Sequence, residues 1–132
     1  MQRIRIFTCG GTIDKIYFDA GSRYEVGPPN IPGILAELKL NVDFEVQSLL
    51  RKDSLEMTDS DRELVRRHVE AATEGRIVIT HGTDTMVETA KALHGIEGKT
   101  IVFTGSLTPA LFRNSDALFN IGAAMTAVQI LE

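Results

Sequence analysis

Ile77-Val78-Ile79-Thr80-His81-Gly82-Thr83-Asp84-Thr85-Met86-Val87-Glu88-Thr89-Ala90 is the stretch that decides the fold of this chain. Its first four residues are nearly all apolar and β-branched, which suits a short strand buried on both faces, as strands are in a parallel sheet. Small polar residues then break the run. Beyond them the spacing predicts a helix over about 85–94, with Met86, Val87, Ala90 and Leu93 inward and Gly95 stopping it. A strand that passes through a tight polar turn into a helix is half of a βαβ unit.

The same grammar repeats on both sides. Ile4, Ile6 and Thr8 alternate with Arg3, Arg5 and Phe7 in a first strand that ends at Gly10-Gly11. Residues 12–19 are expected to be extended, and 20–29, with two glycines and two prolines, to be a loop. Ile31, Ile34, Leu35 and Leu38 predict a short helix over 31–39, and 42–50 alternates as a second strand followed by a polar loop over 51–57. Thr58-Asp59-Ser60 can cap the next helix, with Glu63 in capping-box position to Ser60. Its apolar stripe is Leu64, Val65, His68, Val69 and Ala72, and Gly75 closes it. Thr100–Thr104 is another buried strand, and 114–131 a long Ala-rich helix. Regular alternation of strand and helix implies parallel strands with helices on both faces. The fold class is therefore α/β, a three-layer sandwich around a mostly parallel sheet, in one domain over 1–132.

Composition narrows the function. Eighteen acidic against fourteen basic side chains give a net charge of −4, which disfavours a general nucleic-acid binder. A single cysteine makes no internal disulfide and points to a reducing compartment, hence a cytoplasmic protein. No run of about 18 apolar residues is present, so no transmembrane helix is expected. His68 and His94 lie on helices with no metal-ligand spacing, and neither a metal nor a cofactor is expected.

Ligands of such sheets bind beyond the carboxyl ends of the strands. Cys9-Gly10-Gly11-Thr12, Asp53-Ser54, His81-Gly82-Thr83-Asp84 and Gly105-Ser106 stand there. Gly10-Gly11-Thr12 lacks the spacing of a phosphate loop. It reads either as a tight turn, or as glycines that bring the backbone close to a substrate and present Thr12 as a nucleophile. A threonine hydroxyl needs a base or proton relay to act in that way. Thr83 and Asp84 either cap the following helix or supply a second hydroxyl and a carboxylate. His81 is a candidate base or a side chain turned into the sheet, and Cys9 is a small buried hydrophobe or a nucleophile.

Together these segments resemble the L-asparaginase family, specifically the N-terminal domain of the bacterial-type enzymes. The resemblance rests on Gly10-Gly11-Thr12-Ile13, on Asp53-Ser54-Leu55-Glu56-Met57-Thr58, and on the His81–Ala90 segment. Phe103-Thr104-Gly105-Ser106 and Asn114–Asn120 extend it along the chain. The closest likeness is to short, single-domain asparaginase-like proteins, which lack the second domain of the large enzymes. The resemblance implies a Rossmann- or flavodoxin-like sheet and conversion of L-asparagine to L-aspartate and ammonia. In it Thr12 is the nucleophile that forms an acyl-enzyme, Thr83 the second catalytic threonine, and Asp84 its partner and the contact for the α-amino group. Ser54 holds the α-carboxylate, Gly11 and Gly82 line the substrate site, and Tyr24 sits on a mobile lid over 19–29 that supports Thr12.

Leu55 departs from the polar residue many relatives carry there. The family's catalytic lysine lies on a strand after the last helix, and no lysine of this sequence matches it. A longer native chain that supplies this strand is expected. The alternatives are an amidase on glutamine or a larger amide, like the asparaginase-like subunit of a tRNA-dependent amidotransferase, or a non-catalytic amino-acid-binding domain. The partners expected are L-asparagine or L-glutamine. The final helix, apolar on more than one face, implies a homodimer or homotetramer.

Overall fold

The computed structural model describes residues 3–18 and 23–132. In chain order these form β1 (Ile4–Gly10), β2 (Lys15–Phe18), β3 (Arg23–Val26), α1 (Ile31–Leu38), β4 (Phe44–Lys52), α2 (Asp59–Ala71), β5 (Arg76–Thr80), α3 (Met86–Ala92), β6 (Thr100–Thr104) and α4 (Ala117–Ile130). β4, β1, β5 and β6 lie side by side in that order, and each neighbouring pair is parallel. The expected three-layer α/β sandwich is therefore the observed fold.

Alternation along the strands builds both cores. Val78, Ile4 and Ile6 face one way and pack with Ile31 and Leu35 of α1 and Ile121, Met125 and Val128 of α4. Ile77, Ile79 and Phe7 face the other way and pack with Val65 and Val69 of α2 and with Leu93. These strand side chains are fully shielded, and each such burial contributes about 1.5–3 kcal/mol. Among the described residues no helix is long and apolar enough to cross a membrane.

Several local expectations are corrected. Residues 20–29 are not all loop, because Arg23–Val26 pairs antiparallel with Lys15–Phe18, Tyr17 opposite Tyr24. Thr12–Asp14 is a single 3-10 turn rather than extended chain. α2 is capped by Thr58 instead of Ser60: its hydroxyl accepts from Asp61 N while the Asp61 carboxylate accepts from Thr58 N. The helix thus starts two residues earlier than expected, and Lys52 pairs with the capping Asp61 carboxylate at 2.8 Å. On α3, Val87 and Ala90 face outward, and Thr89 and Leu93 are the buried positions. The long final helix begins at Ala117, since Asp116 turns back to bind the N–H groups of Leu107 and Thr108.

β4 runs on to Lys52, past the end expected from its alternation. It is out of step with β1 there. Thr8 pairs with Ser48 and Gly10 with Lys52, four steps along β4 for two along β1. Such an irregularity bends the strand that carries the extra residues.

Candidate active site

Glycines at the strand ends let four backbone segments meet. Gly10 and Gly11 hold φ values of +91° and +90°, and Gly11 combines its φ with a ψ of −175°, a region essentially restricted to glycine. Gly11 N donates to Lys52 O at 2.9 Å. A methyl carbon added to Gly11 would lie 2.5 Å from Gly82 Cα and N, and one on Gly82 would lie 2.7 Å from Ser54 Oγ. One on Gly105 would lie 2.3 Å from His81 O. The carboxyl ends of β1, β4, β5 and β6 therefore touch main chain to main chain. Gly11, Gly82 and Gly105 leave no room for side chains of their own, and the Ser54 side chain packs directly on Gly82.

This convergence places the residues named from the sequence. Thr12 directly follows Gly11 in a partly exposed turn, and Thr83 and Asp84 directly follow Gly82 on the exposed side of the β5–α3 turn. Gly11, Gly82 and Ser54 are buried between them. Thr83 and Asp84 do not cap α3. Thr85 occupies the cap position, and no side chain caps the helix. The Thr85 hydroxyl instead donates to Ser54 O at 2.8 Å, and Thr85 N donates to Ser54 Oγ at 3.3 Å. The Ser54 turn and the Thr83–Asp84 turn are thereby joined. Asp53 holds the near side of the Ser54 turn. The Leu55 N–H, aided by Lys15 at 3.2 Å, keeps its carboxyl below the usual range.

Tyr24 lies on β3, and its ring meets Phe112 edge to face at 5.4 Å. With Lys15, Glu25, Val26, Arg51, Asp53 and Glu56 it lines an open cleft of about 460 Å³, mostly polar, with two cationic and three acidic side chains. The lining of that cleft includes neither Thr12 nor Thr83. Residues 19–22 of the expected lid lie outside the described residues.

Three groups near the site gain a definite character. Cys9 is buried, and burial pushes its thiol up to about 12, which rules out a thiolate at neutral pH. His81 is fully shielded, with its ring turned inward, and burial lowers its pKa. Asp14 was not anticipated. Its Oδ1 accepts from Asn30 N at 2.9 Å, and Oδ2 is buried with no hydrogen-bond partner among the described residues. Burial pushes this carboxyl up to about 6. Asp14 O accepts from Gly27 N, and Ile13 O from Ala110 N and Asn30 Nδ2. The Thr12 turn is thus clamped by the segment after β3 and by the loop before α4. The sequence carries little signal for this, since Lys15 stands beside Asp14 between the same two isoleucines and remains partly exposed.

Comparison with known proteins adds a relationship to this geometry. The family model described as Asparaginase, N-terminal, matches residues 3–130. The L-asparaginase of Thermococcus kodakarensis is 33% identical over 133 residues, covering 95% of this chain and 40% of that protein. One subunit of the glutamyl-tRNA(Gln) amidotransferase of Aeropyrum pernix is 30% identical over 136 residues, covering 96% of this chain and 32% of that protein. The solved thermostable L-asparaginase from Thermococcus kodakarensis superimposes with a TM-score of 0.80 at 26% identity, covering 96% of this chain and 40% of that one. The chain spans between about a third and two-fifths of the length of these relatives.

Proposed function

The chain belongs to the asparaginase family, through its N-terminal domain, and on that premise we propose that it is an amidohydrolase converting L-asparagine to L-aspartate and ammonia. Thr12 Oγ attacks the side-chain amide carbon. The C–N bond breaks, the nitrogen leaves as ammonia with the hydroxyl proton, and an acyl-enzyme remains. Water then attacks the ester, releases aspartate and restores the Thr12 hydroxyl. Thr83 and Asp84 serve the proton transfers, and Asp84 also meets the substrate ammonium. Ser54 holds the α-carboxylate, Gly11 and Gly82 let the backbone line the site, and Tyr24 closes over Thr12 to exclude water. The protein acts as a homo-oligomer.

One observation carries the reading: the contact of Gly11 with Gly82 sets Thr12 and Thr83 on adjoining turns, with Ser54 wedged beside them. The neighbouring cleft, with Lys15 and Arg51 beside Glu25, Asp53 and Glu56, offers both signs of charge that a zwitterionic amino acid requires. The test is ammonia release from L-asparagine by the protein and by Thr12→Ala. Turnover should vanish in the variant while aspartate binding, followed by calorimetry, persists. Unchanged turnover in Thr12→Ala would sink the mechanism.

The amidotransferase component among the relatives favours a second reading, amide hydrolysis of glutamine or a larger substrate on behalf of a partner. Faster ammonia release from L-glutamine than from L-asparagine would select it.

A further inference from the structure

His81 stands outside the chemistry just described, yet its ring is wired into the peptide that carries Thr83. Its Nδ1 lies 2.7 Å from Gly82 O, and its Nε2 lies 2.7 Å from Thr89 Oγ1 on α3. A carbonyl oxygen only accepts, so Nδ1 must carry the proton. In the neutral ring Nε2 is then a bare acceptor, and the Thr89 hydroxyl donates to it. Arg62 of α2 completes the chain, its Nε donating to Thr89 Oγ1 at 3.2 Å. The same guanidinium donates through its Nη1 to Met57 O, at the end of the Ser54 turn.

The Gly82 carbonyl and the Thr83 N–H belong to one planar peptide unit, and among the described residues no peptide bond is cis. In a trans peptide the two groups point in opposite directions. A carbonyl drawn inward onto a fully shielded ring therefore turns the Thr83 N–H outward, toward the side where Thr83 and Asp84 are exposed. The peptide needs such a hold, because glycine gives it freedom to flip. The His81 carbonyl is itself pinned against Gly105, and His81 N donates to Thr104 O at 2.9 Å. The residue that holds the peptide is thus fixed at both its N–H and its carbonyl against the end of β6.

We propose that His81 is a positioning residue: its Nδ1–H latches the Gly82–Thr83 peptide so that the Thr83 N–H faces an anionic oxygen of the bound amino acid. Thr89 and Arg62 hold the ring in that tautomer. The role of the N–H rests on the amidohydrolase reading, whereas the latch itself does not. Arg62 is the charged group set against the ring, and Thr89 and Phe103, which meets it edge to face at 6.0 Å, carry no charge. A second cation on His81 is therefore opposed by both burial and Arg62.

The test begins on the unmodified protein labelled with 15N-histidine. Long-range proton–nitrogen spectra should show His81 protonated at Nδ1, bare at Nε2, and still neutral at pH values where an exposed histidine is charged. An Nε2-protonated ring, or ordinary titration, overturns the latch whatever the protein catalyses. Variants then separate positioning from filling. His81→Asn keeps an N–H near the place of Nδ1, and His81→Gln does not. Aspartate affinity should stay within about threefold in the first and fall about tenfold in the second, the scale of one hydrogen bond. Equal losses in the two overturn the proposal. Where His81→Gln fails to fold, Thr89→Val replaces it. That variant strips Nε2 of its donor, so the Nε2 nitrogen signal should move toward that of an unbonded imidazole nitrogen and aspartate binding should weaken, and an unchanged ring signal counts against the relay. A wild-type protein that neither binds aspartate nor releases ammonia removes the amidohydrolase reading, and the ring spectra then decide the latch alone.

Discussion

Replacing Gly11 with alanine puts a methyl group 2.5 Å from Gly82 Cα and N, on a residue whose φ is +90°. Two penalties add. Holding an L-residue in that backbone region costs about 1–3 kcal/mol. Overpacking of a contact that cannot yield without backbone movement costs about another 1–3 kcal/mol. The sum is about 2–6 kcal/mol, a large share of the 5–15 kcal/mol by which domains are stable. At a urea dependence of about 2 kcal/mol per molar, the unfolding midpoint should drop by about 1–3 M. Gly122, in the middle of α4 with open space around it, is the control. Gly122→Ala should gain about 0.5–1 kcal/mol through helix propensity. The assay is urea unfolding followed by circular dichroism, with ammonia release measured on the folded fraction of each protein. A Gly11→Ala protein with the wild-type midpoint and turnover would refute the reasoning, since it would mean that β1 and β5 do not abut main chain to main chain.

Further expectations concern pH and assembly. The buried Asp14 carboxyl sits at about 6 when folded against an ordinary 3.8. The folded state thus holds that proton more tightly, so this group withdraws stability as pH rises from about 4 through 6. Asp14→Asn keeps the acceptor for Asn30 N and should gain about 2–3 kcal/mol at pH 7.5 but little at pH 4, read from urea midpoints at both values. A gain confined to pH 4 would show the sign to be wrong. On α4, Leu118, Phe119 and Ile130 are exposed and, with Gly122 and Ala123, line an apolar groove. Light scattering at micromolar concentration should give a dimer or larger species, and Phe119→Lys should reduce its mass. A monomeric wild type would remove self-association from the account.

The layers were legible in the sequence because strands buried on both faces, such as Ile77–Thr80, carry an unambiguous apolar run. Helix α2 was legible in its stripe and misplaced at its start. Several polar residues in Thr58–Glu63 can cap; Thr58 and Asp61 form the box, and the Lys52 pair that Asp61 also makes comes from β4, out of reach of local spacing. α3 misled for a related reason. Its buried face carries Thr89, which answers His81 across the turn, while Val87 faces outward. Gly10, Gly11, Thr12, Ser54, Gly82, Thr83 and Asp84 could be named from their places at strand ends. What periodicity cannot encode is which main chains touch. Asp14, Thr85 and Arg62 matter only through partners distant in the chain.

The loss of step between β1 and β4 ties site assembly to chain length. Between Ser48 and Lys52, β4 uses two more residues than β1 needs. Two strand residues span about 7 Å. That length is not spare, because Leu49 and Leu50 within it pack against the layer formed by Phe7, Val65, Val69, Ile77 and Ile79. The extra residues are taken up before Lys52, whose carbonyl receives Gly11 N at 2.9 Å, so the chain arrives at Ser54 from a fixed point beside β1. A shortening here removes core side chains together with the irregularity, so the length of this strand serves folding and the delivery of Ser54 at once.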